Sequence, residues 1–170
     1  MTFLGHLKPA DAFSLGSAAL GCAAVFLAIR GAFAWAASAI LAAGVFDMLD
    51  GKIARLTGSA NDFGRELDSL ADVISFGMAP VVFGFSLIPL RPLNLAALGF
   101  YLICGVLRVA NYNVSTDRTM YQGMPITINA VIFPGAWFFK APDFLWCWIF
   151  FISAAMMIAP IRFRKPALMK

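Results

Sequence analysis

From position 73 to position 90 the chain reads VISFGMAPVVFGFSLIPL, eighteen residues without a charge. A helix needs about 20 residues to cross the ~30 Å hydrocarbon core of a bilayer. Five further uncharged runs of similar length flank this one, at 12–29, 31–46, 92–107, 119–139 and 144–161. The whole chain of 170 residues is 61% hydrophobic and 13% charged, against about 25% charged in a typical soluble domain. In water it would lack the polar residues to cover its surface. It therefore reads as a single all-α integral membrane domain, 1–170, with six transmembrane helices. Lipid leaves unpaired backbone groups without partners, which allows only helices or a closed barrel. The sequence has no alternating ten-residue segments of the kind a barrel needs.

Pro9 and Asp11 precede the first apolar run and no basic leader region does, so no cleavable signal peptide is expected here. Residues 1–11, with Phe3, Leu4 and Leu7 beside His6 and Lys8, suit a short N-terminal interfacial segment and equally a tail. With six spans, ten of the thirteen basic residues fall on one side: Lys8, Lys52, Arg55, Arg65, Arg108, Arg118, Arg162, Arg164, Lys165 and Lys170. Arg30, Arg91 and Lys140 fall on the other. The positive-inside rule makes the first side cytoplasmic, and the expected location is the cell (plasma) membrane. Trp137, Trp146 and Trp148 lie near the sparse side and are expected as interfacial anchors. Cys22, Cys104 and Cys147 are scattered singly, without metal-ligand spacing. The net charge of +4 suits an anionic membrane surface and requires no nucleic acid.

Upstream of position 73 the acids crowd together. Of nine acidic residues, six fall between the second and third spans: Asp47, Asp50, Asp62, Glu66, Asp68 and Asp72. Asp62 and Glu66 fit a solvated loop. The other four adjoin apolar helix ends, where each ionisable group costs about 2.5–3.5 kcal/mol on insertion scales. Asp47 and Asp50 are spaced i,i+3, and Asp68 and Asp72 i,i+4, so each pair shares a helix face. Two antiparallel neighbours can turn these faces together. Four converging carboxylates would repel one another unless divalent cations joined them, and oxygen ligands favour Mg²⁺ or Mn²⁺. Two such ions could clamp a diphosphate. Between the pairs, Gly51 and Ala54 leave room for close approach of a ligand, Arg55 offers a fork of phosphate donors, and Gly64 opens the next helix.

The pattern Asp47-x2-Asp50-Gly51-x2-Ala54-Arg55-x8-Gly64-x3-Asp68-x3-Asp72 resembles the signature of the CDP-alcohol phosphotransferases at every fixed position. The resemblance implies that the first three aspartates hold metal. Asp72 would share the second ion and act as the catalytic base, and Asp50, Gly51, Ala54, Arg55 and Gly64 would bind the CDP part. The run 66–80, ELDSLADVISFGMAP, and the stretches 104–114 and 123–126 are similar to the membrane phosphatidylserine synthases and their archaeal, archaetidylserine-forming counterparts. That branch implies transfer of a phosphatidyl or archaetidyl group from CDP-diacylglycerol or CDP-archaeol to L-serine, with release of CMP. It also implies two ions of Mg²⁺ or Mn²⁺ and a homodimer. The sequence departs from the branch at Asn61, Asn111, Thr127 and Ser17, where a small hydroxyl, a basic residue, a proline and an asparagine are usual. Asn61 can still hydrogen-bond a phosphate. Arg108 is the candidate contact for the serine carboxylate or the lipid phosphate, with a membrane-surface anchor as its other reading. The alternatives are a sister transferase acting on glycerol 3-phosphate or inositol phosphate and, more remotely, a divalent-cation transporter.

Overall fold

The structure is a computed structural model that describes residues 8, 11–56, 62–89, 91–114, 120–160 and 162–164, with backbone only at 54, 55, 120–122 and 162–164. The possible interfacial segment at the N-terminus and Asn61 lie outside the described residues. Helix α1 runs Asp11–Ile29, α2 Phe33–Leu56 and α3 Asp62–Asp72. A π-helical segment, Val73–Met78, carries α3 straight into α4, Ala79–Leu87. Then come α5, Pro92–Val114, strand β1, Met120–Gln122, and a 3-10 turn, Ile126–Ile128, that leads into α6, Asn129–Phe138. The described chain closes with α7, Asp143–Ile158, and β2, Arg162–Arg164.

Among the described residues, four stretches are long and apolar enough to cross a membrane: Asp11–Ile29, Phe33–Ile53, Asp62–Leu87 and Pro92–Val114. Ile126–Phe138 and Asp143–Ile158 are shorter apolar helices. The protein is a multi-pass membrane protein whose apolar segments are all helical, and two of its features correct the sequence boundaries. The second and third spans extend well beyond their uncharged cores, so the acidic residues from Asp47 to Asp72 stand on helices. The fifth span, expected over 119–139, is helical only from Ile126. Before it the chain forms β1, which pairs antiparallel with β2, Met120 opposite Arg164. Gly123 then turns at φ +76°, where an added Cβ would lie 2.2 Å from the Met157 carbonyl oxygen. Only glycine fits that turn.

Helix α1 packs along α2 through small residues. Its buried stripe is Asp11, Ser14, Ser17, Gly21, Ala24 and Ala28. Helices can approach this closely in lipid because small side chains let backbones meet. The Ser17 hydroxyl donates to the Ala43 carbonyl at 3.1 Å, and the Ser75 hydroxyl donates to the Ser17 carbonyl at 2.9 Å. The turn between α1 and α2 is a Schellman motif: Gly31 N–H reaches Ala28 O and Ala32 N–H reaches Leu27 O, both at 2.9 Å. Aromatic rings fill the centre. Tyr101 meets Phe133 and Phe150 edge-on, and Phe133 stacks on Phe150 at 4.4 Å. Trp146, expected at the interface, is instead 2% exposed and packs against Phe83. Trp148 remains exposed. Large apolar side chains such as Phe26 and Trp35 are exposed on the outside of the spans, as a bilayer solvent allows.

The π segment has a cause in the sequence. Pro80 has no N–H, and a proline ring collides with the carbonyl four residues back, here that of Phe76. The helix widens instead: Ala79 N–H donates to Ile74 O, five residues back. The Phe76 carbonyl is compensated from another helix, because the buried Tyr101 hydroxyl on α5 donates to it. The widening begins immediately after Asp72, so this bond ties the acid-bearing end of the helix to α5. Tyr101→Phe leaves a buried carbonyl unpaired, which costs about 1–3 kcal/mol. The expected result is a lower midpoint of thermal unfolding in detergent. An unchanged midpoint would mean that another donor serves Phe76.

Candidate active site

α1 packs against both α2 and α3, and these two helices direct their acidic side chains toward one another. One oxygen each from Asp47, Asp50 and Asp68 lies within 4.8 Å of the other two. Asp72, one turn beyond Asp68, contacts the carboxyl of Asp47, and Asp50 contacts that of Asp68. The structure thus brings together all four aspartates that the helical spacing placed on facing sides. The Asp72 Oδ1 atom is buried with no hydrogen-bond partner, an expensive state for a carboxylate oxygen. Three converging carboxylate oxygens and the unpartnered Asp72 Oδ1 form an all-oxygen donor set, which fits hard divalent cations such as Mg²⁺ or Mn²⁺.

These acids form one wall of a cavity of about 430 Å³. Arg65, Arg108, Tyr112 and Thr127 are among the residues opposite and around them. The cavity therefore offers anionic and cationic groups together, as a metal-bound diphosphate and a charged acceptor would require. Gly51 lines it, and an added Cβ there meets nothing within 4 Å. Protein packing does not demand glycine at 51, so the open space above it belongs to the cavity. Gly64 sits in the first turn of α3 and is not among the lining residues. Ala54 and Arg55 continue α2, and their side chains lie outside the description.

Arg108 is 6% exposed. Its Nε donates to the Met124 carbonyl at 3.2 Å, and its guanidinium carbon stands 5.7 Å from the centre of the Tyr112 ring. A surface anchor would be exposed, whereas Arg108 faces the cavity. It also serves the non-helical backbone ahead of α6, whose Met124 N–H is taken by the Met156 carbonyl at 2.9 Å. Of the two acids expected in a solvated loop, Asp62 is exposed and paired with Arg65, and Glu66 is exposed and accepts from Asn113 at 3.3 Å. Both lie on α3 and stand apart from the four converging aspartates.

Sequence reading missed several residues of this site. Ser69 lines the cavity and donates to Asn113 Oδ1 and to the Arg65 carbonyl, both at 3.0 Å. Tyr112 and Thr127 line it as well. Ser14, on α1, donates to Asp50 Oδ2 at 2.8 Å. The small-residue stripe of α1 was the available signal, since buried serines at 14 and 17 share one face.

The sequence compares closely with known proteins. It is 38% identical over 125 residues to the archaetidylserine synthase of Methanothermobacter thermautotrophicus, covering 71% of this chain and 54% of that protein. The CDP-diacylglycerol–serine O-phosphatidyltransferase of Helicobacter pylori is 36% identical over 125 residues, covering 71% and 53%. The Saccharomyces cerevisiae protein of the same name is 36% identical over 100 residues, covering 53% and 36%. The chain spans about half the length of the first two of these curated relatives. The profile of the CDP-alcohol phosphatidyltransferases matches residues 7–161, nearly the whole sequence and all four converging aspartates. On that match and this arrangement of carboxylates, the chain belongs to the CDP-alcohol phosphatidyltransferase family.

Proposed function

We propose that this protein transfers a phosphatidyl or archaetidyl group from a CDP-linked lipid to the hydroxyl of L-serine and releases CMP. The observation that carries the reading is the convergence of Asp47, Asp50, Asp68 and Asp72 in one cavity with Arg108. The names of the relatives support serine as the acceptor. Asp47, Asp50 and Asp68 would hold divalent cations, with Asp72 shared at the second. Bound there, two Mg²⁺ or Mn²⁺ ions supply Lewis-acid stabilisation of the diphosphate and of the charge left on CMP. Gly51, Ala54, Arg55, Asn61 and Gly64 would cradle the CDP moiety.

Asp72 takes the proton of the serine hydroxyl. The serine oxygen forms a bond to the lipid-bearing phosphorus as the bond from that phosphorus to CMP breaks, in one displacement. Arg108 is already oriented by Met124 and Tyr112, so it meets the serine carboxylate or lipid phosphate with little ordering cost. The active site lies at the cytoplasmic side of the cell membrane, a reading that rests on the basic-residue asymmetry. A homodimer rests on the family resemblance alone. A phosphorylated acceptor would call for further cations in the cavity, and among the described lining residues Arg65 is engaged by Asp62. A cation transporter could use the same carboxylates. Transport sites usually lie near the midplane, whereas these aspartates cluster at helix ends, and transport does not call for Gly51, Ala54 and Arg55.

Purified protein incubated with CDP-diacylglycerol, Mn²⁺ or Mg²⁺, and a panel of alcohols tests the reading by CMP release. Release that depends on L-serine is expected. Release driven instead by glycerol 3-phosphate or inositol phosphate would move the protein to a sister activity.

A further inference from the structure

The Ser14–Asp50 bond joins two helices that the signature does not connect. Ser14 is 3% exposed and Asp50 7%. Thirty-six positions separate them, yet the hydroxyl lies 2.8 Å from Asp50 Oδ2. Contacts further along the same helix pair hold Ser14 in place. The Phe13 ring lies 5.9 Å from that of Phe46, an added Cβ on Gly16 would come within 2.6 Å of the Phe46 ring, and Ser17 is bonded to the Ala43 carbonyl. At the start of α1, Asp11 accepts the Lys8 backbone N–H at 2.8 Å and closes the first turn. The hydroxyl therefore stands on a helix that cannot slide or rotate relative to Asp50 without breaking several contacts.

A hydroxyl donor on one carboxylate oxygen fixes the rotamer of the carboxylate and leaves the remaining lone pairs aimed elsewhere. One oxygen of Asp50 lies within 4.8 Å of an oxygen each of Asp47 and Asp68, and its carboxyl contacts that of Asp68. Such outer partners orient metal ligands, and losing one typically costs 10- to 100-fold in metal affinity or activity. We infer that Ser14 is a positioning residue of the divalent-cation site, holding Asp50 in its ligating orientation from outside the signature. This inference rests on the metal-site reading above.

The test is Mn²⁺ binding to the detergent-solubilised protein without substrates, followed by the electron paramagnetic resonance signal of free Mn²⁺. Four proteins are compared: wild type, Ser14→Ala, Ser14→Thr and Ser17→Ala. Ser14→Ala should weaken Mn²⁺ binding about 10- to 100-fold, and Ser14→Thr, which keeps the hydroxyl, should restore most of it. Ser17→Ala, equally buried on the same helix but bonded to the Ala43 carbonyl and the Ser75 hydroxyl, should lower thermal stability and leave Mn²⁺ affinity unchanged. In turnover, Ser14→Ala should raise the Mn²⁺ concentration for half-maximal CMP release by the same factor and recover near-normal kcat at saturating metal. Equal Mn²⁺ affinity in wild type and Ser14→Ala overturns the role of Ser14 and leaves the metal site standing. A Ser17→Ala loss as large as that of Ser14→Ala would mean that helix packing carries the effect, which also overturns it. Absence of Mn²⁺ binding by the wild type would overturn both readings.

Discussion

Asp72→Asn is expected to lower serine-dependent CMP release by at least 10²-fold while sparing most of the affinity for the CDP-linked donor. Asparagine keeps the shape of the side chain and one carbonyl oxygen. Its amide can donate to Asp47, the carboxyl that Asp72 already contacts, so the fold around α3 and the π segment should survive. It cannot accept the acceptor's proton. General-base assistance is worth roughly 10² to 10⁴ in rate, and the loss should fall within that range or exceed it if a metal ligand is weakened too. Donor binding should change far less, because Asp47, Asp50 and Asp68 remain. Arg55→Ala should invert the emphasis, with donor affinity hit hardest. Calorimetric titration of CDP-diacylglycerol into both variants, beside their CMP release, separates the cases. Near-normal turnover in Asp72→Asn, or a loss of donor affinity as deep as that of Arg55→Ala, would reduce Asp72 to a ligand or a structural acid.

Alanine at Asp47, Asp50 or Asp68 should be more damaging still. Each removes one of three oxygens that converge within 4.8 Å and leaves the others with less to share a cation. Turnover should fall by several orders of magnitude in each single variant, and EDTA should bring the wild type to the same floor. Added Mg²⁺ or Mn²⁺ should restore the wild type and not the variants. The variants should still insert and remain monodisperse in detergent, since removing one of several mutually repelling carboxylates relieves electrostatic cost. Full CMP release by chelated wild-type enzyme would refute the participation of metal.

The acids were legible because charge is so costly beside an apolar helix that its placement carries information. Spacing of three and four residues put each pair on one face, and the structure brings these faces together. What the sequence hid depends on backbone geometry and on neighbours far along the chain. The run 119–139 counts as a span by hydropathy, but Gly123 and Pro125 interrupt it, and both are breakers that an uncharged tally ignores. Hydropathy passes over Pro80 inside an apolar run that reads as one plain span, and the π segment there depends on Tyr101, twenty-one positions later, which serves the Phe76 carbonyl. Trp146 resembled an interfacial anchor by its position near a helix start, whereas tertiary packing against Phe83 decides its burial. Ser14 was hardest to see, because a lone serine in an apolar helix is ordinary until a partner on the adjacent helix gives it an acceptor.

The shortness of the fifth span bears on how two substrates of opposite solubility meet. Its apolar helix, Ile126–Phe138, rises about 20 Å at 1.5 Å per residue, roughly 10 Å less than the hydrocarbon thickness. A bilayer accommodates such a mismatch by thinning locally, at a fraction of a kcal/mol per Å. The helix starts beside the carboxylates, since Pro125, Ile126 and Thr127 line their cavity, so thinning on that flank would lower the leaflet toward the site. For the proposed reaction, a small polar acceptor would then descend only a short way from the aqueous phase, while the chains of the lipid donor stay in the same leaflet.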